Sequence, residues 1–111
     1  MREESAFTDC MTTQHHVDAE TARFSWQVLE TGGPEALRWL VGNWDQIAGA
    51  GAAITFLVKA GGGAAAIATL LSPIVTGAGG AVLDILAAML AGMALAAVLA
   101  ALTAAIECVA D

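Results

Sequence analysis

The residues from Ile85 to Ile106 form a run of 22 residues without a charged side chain. At the helical rise of about 1.5 Å per residue this run would reach about 33 Å, which is enough to cross the hydrocarbon core of a bilayer. The sequence from Ala81 to Ala110 therefore predicts one long, apolar C-terminal helix. Such a helix is expected to be inserted in a membrane or buried in an assembly.

Small side chains recur at every fourth position of this predicted helix. Residues four apart lie above one another on one helix face, so a second helix backbone can approach them closely. This helix-packing ridge consists of Ala88, Gly92, Ala96, Ala100 and Ala104. Because lipid gives no hydrophobic gain for helix pairing, close packing at the ridge is the expected mode of association. The partner is either the apolar segment Ile47 to Val58 of the same chain or a second copy, and the spacing favours neither.

The composition is unusual for a soluble domain of 111 residues. Hydrophobic residues make up 58% of the chain, whereas aromatic residues make up 5%. A soluble core of this size uses less apolar material and more large side chains, so part of the surface is expected to face lipid or a partner. The net charge is −7, with four Lys and Arg. Nucleic acid is not an expected partner, because a phosphate backbone requires basic side chains.

Charge divides the chain into two parts. Residues 1–46 carry eight acidic and three basic side chains, and residues 47–111 carry three acidic and one basic. We predict a polar arm with an amphipathic helix at residues 1–33, a possible leader, and an apolar helical body at residues 34–111. The first residues are polar, so no Sec-type signal peptide is evident. The expected location is a membrane, or outside the cell after processing by another route.

Glycine and proline punctuation predicts an all-α fold, either a small helical bundle or a helical hairpin with Gly-rich corners. The stretch Met1 to Gln14 shows no periodicity and is expected to be a loosely docked terminus. The predicted helices run from Thr13 to Thr31, Pro34 to Lys59, Ala64 to Leu71 and Ala81 to Ala110. The clearest boundary is Gly32-Gly33-Pro34, where glycines stop one helix and proline begins the next.

The two cysteines, Cys10 and Cys108, leave two alternatives open. A disulfide between them would tie the polar arm to the end of the C-terminal helix, whereas two reduced thiols would be small buried hydrophobes.

Metal ligation is weighed for His15, His16 and Glu20, because His16 and Glu20 lie four apart on a helix. Two ligands do not close a site, so no metal is expected.

Two tryptophans, Trp39 and Trp44, precede the apolar segment Ile47 to Val58. Indoles at this position are typical of membrane-interface anchors, and two ordinary packed tryptophans are the alternative. The sequence has no nucleotide-binding loop, Ser-His-Asp set or zinc-ligand spacing. We therefore expect a non-enzyme without catalytic residues, a cofactor or a small-molecule substrate.

The Ala/Gly-rich short helices, the interfacial tryptophans and the length of the body from Trp39 or Trp44 to Asp111 resemble those of hydrophobic helical bacteriocins, particularly the circular type. The resemblance is compositional. It implies a membrane-active, antimicrobial peptide precursor, with the arm as leader and a body that inserts into a target membrane.

Two other functions fit the same layout. Two apolar segments around a glycine hinge resemble pilins of conjugative secretion systems and coat proteins of some filamentous or spindle-shaped viruses, which implies a structural subunit. An ordinary small integral membrane protein is the third alternative. In each case the expected partners are the lipid bilayer and further copies of the chain.

Overall fold

The computed structural model describes residues 4–75 and 79–110, and these residues form helices without any strand. The prediction of an all-α fold is therefore confirmed. The helices are α1 Glu4–Gln14, α2 Ala19–Gly42, α3 Trp44–Gly49, α4 Gly51–Lys59, α5 Ala64–Leu71, α6 Gly80–Gly92 and α7 Leu95–Ala110.

The N-terminal segment is a packed helix rather than a loose terminus. Helix α1 buries Phe7, Cys10 and Met11, whose spacing of three and four residues puts them on one helix face. The ring of Phe7 lies 5.4 Å from that of Trp26 in α2. The prediction of a loosely docked terminus is wrong, because a few apolar side chains at helical spacing are enough to fix this short helix to the core.

Helix α2 begins at an N-cap. The carboxylate of Asp18 accepts a hydrogen bond from the backbone N–H of Thr21 at 3.0 Å. The boundary predicted at Gly32-Gly33-Pro34 is a kink inside α2, where Gly33 has φ 76° and ψ 178°. That backbone conformation is accessible to glycine alone, and Pro34 then starts the second half with the φ that a helix needs.

The predicted helix from Pro34 to Lys59 is divided between the end of α2, α3 and α4. At the first division the side chain of Asn43 donates to the carbonyl oxygen of Trp39 at 2.9 Å, a contact that competes with helix continuation. The next prediction, Ala64 to Leu71, coincides with α5.

The predicted C-terminal helix is also divided, and the prediction of one continuous helix is wrong. Helix α6 ends at Gly92, and Met93 is extended with φ −135° and ψ 153°. A straight helix from Gly80 to Ala110 would be about 46 Å long, whereas the longest dimension of the molecule is 37 Å. The division lets α6 and α7 both pack against α2.

Within residues 4–75 and 79–110, no helix has the length and apolarity to cross a membrane, so the predicted transmembrane helix is not supported.

The core lies between α2 and the pair α6 and α7, and α1 closes it by packing against α2 and α7. Its largest fully buried side chains come from every helix except α4: Phe7, Met11, Val28, Leu29, Leu37, Leu40, Ile47, Ile67, Leu71, Leu86, Met89 and Leu102. The predicted arm, residues 1–33, thus supplies part of the same core as the body. Helices α4 and α5 form a hairpin in which α5 packs on α6.

Candidate functional site

A disulfide between Cys10 and Cys108 joins α1 to the end of α7. The bonded residues are 98 positions apart in the sequence, and their Cα atoms are 5.9 Å apart. Both side chains are buried, with exposures of 3% and 0%. Of the two alternatives left open by the sequence, the structure has the disulfide.

His15 lies beside this disulfide, and Glu107 lies beside His15. The Nε2 atom of His15 lies 3.4 Å from the Oε2 atom of Glu107, which directly precedes Cys108. A ring nitrogen of His15 and the two cysteine sulfurs all lie within 4.8 Å of one another. We call Cys10, His15, Cys108 and Glu107 the Cys–His–Glu cluster. It contains three types of side chain that bind transition metals.

The backbone between α1 and α2 aims His15 at this cluster. The amides of His15 and Val17 both donate to the carbonyl oxygen of Met11, at 3.3 and 3.1 Å. His16 has a left-handed conformation with φ 56°, which turns the chain sharply after His15. His15 is half-buried, whereas His16 is exposed.

Of the three residues weighed as metal ligands from the sequence, His15 lies in the cluster, whereas His16 and Glu20 do not. His16 lies between α1 and α2, and Glu20 lies in the first turn of α2, so they do not share one continuous helix. Cys10 and His15 meet Glu107 and Cys108 only because α1 docks on α7. The sequence names His15, Cys10 and Cys108 separately, but nothing local in it joins His15 and Glu107 to the cysteines.

The predicted helix-packing ridge is distributed over two helices. Ala88 and Gly92 belong to α6, whereas Ala96, Ala100 and Ala104 belong to α7. Ala104 is buried and Ala88 half-buried, but the other three are exposed. Most of the ridge is therefore not used for packing within the chain, and contact between copies stays a prediction.

The two predicted interface tryptophans are differently placed. Trp44 is buried with an exposure of 8%, and Trp39 is half-buried against the same core. An interface role for either indole stays a prediction.

The exposed apolar surface lies instead on α4. Among the described residues, the large hydrophobic side chains that are exposed are Phe56, at 70%, and Val58, at 39%. Helix α4 buries only Gly51 and Ile54. We call α4, the glycine corner and α5 the 51–71 hairpin.

The glycine corner of this hairpin is sterically determined. Gly61 has φ 83°, in the region that favours glycine. The amide of Gly62 donates to the carbonyl oxygen of Leu57 at 2.7 Å, and a Cβ atom at Gly62 would lie 2.9 Å from that oxygen. The chain therefore turns at Gly61-Gly62-Gly63, between α4 and α5.

The carboxyl group of Asp18 has a lowered pKa. Hydrogen bonds from Thr21, from its side chain and then from its backbone N–H, lower the pKa of Asp18. The shift follows from the N-cap, because hydrogen bonds donated to the carboxylate stabilise its ionised form. It is a feature of helix stability rather than of catalysis.

Searches against protein-family profiles, curated proteins and solved structures give no match to this chain.

Proposed function

We propose that this chain is a membrane-active helical protein of the bacteriocin-like kind, and that the 51–71 hairpin is the part that enters the lipid interface. The observation that carries the proposal is the exposure of Phe56 and Val58 on α4. Exposed large apolar side chains on one element are typical of interaction surfaces. A helix with an apolar face can lie in the interface plane without crossing the bilayer.

The polar groups of the hairpin favour entry into lipid. The hydroxyl of Thr55 donates to the carbonyl oxygen of Gly51 at 2.9 Å, and that of Thr69 to the carbonyl oxygen of Ala65 at 3.0 Å. At the corner, the amides of Ala60 and Gly62 donate to carbonyl oxygens of α4. Polar groups that already have partners cost less to remove from water.

The charge of the hairpin fits the same role. Lys59 is the only basic residue after Arg38, and it stands at the exposed end of α4. A lysine can bury its alkyl chain beside apolar residues while its ammonium group reaches lipid phosphates. The net charge of −7 opposes binding to anionic surfaces, so zwitterionic lipid is the expected target.

Vesicle flotation tests this proposal. The full-length, disulfide-bonded protein should float with phosphatidylcholine vesicles, and less well when phosphatidylglycerol is added. Phe56→Ser should weaken partitioning about 10- to 30-fold, because burial of an exposed Phe contributes roughly 1.5–2 kcal/mol. The control is Ala97→Ser, at an exposed position of α7, which should float like the parent protein. Absence of flotation, or equal flotation of Phe56→Ser and parent, contradicts the proposal.

The structural-subunit alternative makes a different prediction. It requires a high-mass particle of full-length chains without lipid, which light scattering measures directly. Association through the exposed ridge would then be sensitive to Ala96→Leu, whereas Ala97→Leu on the neighbouring face is the matched control. A lipid-free particle together with no flotation favours the subunit function.

The leader role of the arm has a specific signature. Cleavage after residue 33 would leave two pieces joined by the Cys10–Cys108 disulfide. The intact mass of the natural product would then exceed that of the uncut chain by one water, and reduction would separate the two pieces. A single chain under both conditions would contradict cleavage of the arm.

A further inference from the structure

We propose that the Cys–His–Glu cluster is a zinc site when its disulfide is reduced. In the oxidised chain the Cys10–Cys108 disulfide joins α1 to α7. In the reduced chain a metal ion bound by the cluster would hold the same two helices together. This inference does not depend on the membrane function proposed above.

The distances suit a single ion. A ring nitrogen of His15 and the sulfurs of Cys10 and Cys108 lie within 4.8 Å of one another. Ligand atoms around one tetrahedral zinc lie about 3.5–3.8 Å apart, given Zn–S of about 2.3 Å and Zn–N of about 2.0 Å. The histidine nitrogen must therefore approach the sulfurs by at most roughly 1 Å, and the two sulfurs, once they are no longer bonded to each other, must move apart to the ligand spacing; rotation of the side chains can supply both movements.

The positions of these side chains do not depend on the disulfide alone. Phe7 and Met11 on either side of Cys10 are fully buried, as are Leu102 and Ala105 near Cys108. Since α1 packs against both α2 and α7, the two thiols stay close together wherever the reduced chain remains folded. The hydrogen bonds to the Met11 carbonyl oxygen keep His15 beside them.

Glu107 marks the open side of the cluster. Its carboxylate lies 3.4 Å from Nε2 of His15, and its side chain is 63% exposed. It can therefore accept a hydrogen bond from the imidazole or from a water molecule in the fourth coordination position. Groups of this kind orient metal ligands and tune affinity.

The chemistry balances with a dithiol as the reductant. The dithiol transfers two electrons and two protons to the Cys10–Cys108 disulfide, is itself oxidised to a disulfide, and leaves two protein thiols. Zinc then displaces one proton from each thiol and binds the two thiolates with neutral His15. Metal and disulfide are therefore mutually exclusive states of the same side chains.

Cobalt titration of the full-length protein tests the inference. The protein is reduced with a phosphine, which does not compete strongly for the metal, and Co²⁺ is added without oxygen. We expect one equivalent of Co²⁺ to give tetrahedral d–d bands and a thiolate-to-cobalt charge-transfer band. Zinc should remove both, because zinc binds such sites more tightly than cobalt. The oxidised protein should give neither band.

Matched histidine variants separate the site from general thiol binding. His15→Asn should weaken Co²⁺ binding by about 100-fold or more, and Glu107→Gln by about tenfold, by analogy with losses at supporting groups of metal sites. The control is His16→Asn, since His16 is exposed and asparagine accepts its left-handed conformation. It should leave Co²⁺ affinity unchanged.

Circular dichroism of each reduced variant shows whether the helices persist. The histidine variants keep both cysteines, so any change in their Co²⁺ affinity comes from the histidine alone. Absence of the charge-transfer band in the reduced, helical parent protein overturns the inference. Equal affinity of His15→Asn and His16→Asn overturns it as well, because the histidine would then not be a ligand. Loss of helix on reduction that added Co²⁺ or Zn²⁺ does not restore would also overturn it, since the site requires α1 docked on α7.

Discussion

Reduction of the Cys10–Cys108 disulfide in the presence of a metal chelator should lower the free energy of unfolding by about 4.7 kcal/mol. The bond closes a loop of 98 residues, and the chain-entropy relation assigns about 4.7 kcal/mol to a loop of that length at 25 °C. Proteins of this size have total stabilities of roughly 5–15 kcal/mol. The loss is therefore large enough to decide whether the reduced chain is stably folded.

Urea unfolding followed by circular dichroism measures this loss, and thermal unfolding should show a midpoint lower by roughly 20 °C. The chelator is required because zinc bound to the reduced cluster would restore part of the stability. The control is the double variant Cys10→Ala with Cys108→Ala, on which the reductant should have no effect. If reduction changed the free energy of unfolding of the parent protein by less than about 1 kcal/mol, the reasoning would be refuted, because the disulfide would then not restrict the unfolded chain.

Three smaller perturbations test the local geometry. As the pH falls below about 4, the stability that the Asp18 N-cap contributes should be lost. A carboxyl group whose pKa is lowered in the folded state contributes stability that is present above its unfolded-state pKa and is lost as the pH falls through its folded-state pKa. Asp18→Asn should remove this pH dependence of the urea midpoint. Gly49→Ala should stabilise the fold by about 0.5 kcal/mol, since a Cβ atom there meets nothing within 4 Å. Gly51→Ala should gain less, because its Cβ would lie 2.7 Å from Cδ1 of Leu95, the far end of a flexible side chain that must rotate away; equal urea midpoints for the two variants would contradict the close contact. Gly33→Ala should cost about 1–3 kcal/mol at the kink, and a neutral effect in the same assay would show that the kink is not required.

The sequence predicts helices best where their ends are marked locally. Helix α5 matches its prediction because Gly63 precedes it and Ser72-Pro73 follows it. The kink at Gly33 was also visible, as glycine and proline act on their own backbone. The prediction of a loosely docked terminus at Met1 to Gln14 is wrong because Phe7, Cys10 and Met11 are few and stand among polar residues, although their helical spacing is enough for docking.

The division at Met93 has no comparable local signal. Leucine and alanine, both good helix formers, surround it on both sides, and Gly92 is equally consistent with a close helix contact. The break arises because α6 and α7 both cover α2, which is a property of the whole fold. The Cys–His–Glu cluster is hidden for the same reason, since its members from α1 and α7 meet only through tertiary packing.

The two candidate sites lie at opposite ends of α7, and this separation makes their functions independently testable. Leu95 lines a groove with Val58 and Lys59 of the 51–71 hairpin, whereas Cys108 lies 13 residues further along the same helix, about 20 Å away. Effects of changes separated by more than about 10 Å normally add. Phe56→Ser should therefore leave Co²⁺ affinity unchanged, and His15→Asn should leave flotation of the oxidised protein unchanged. If either variant changed the result at the other site, the two sites would be coupled through α7. In that case α7 would move as a unit, and the redox state of the cluster would control exposure of the hairpin.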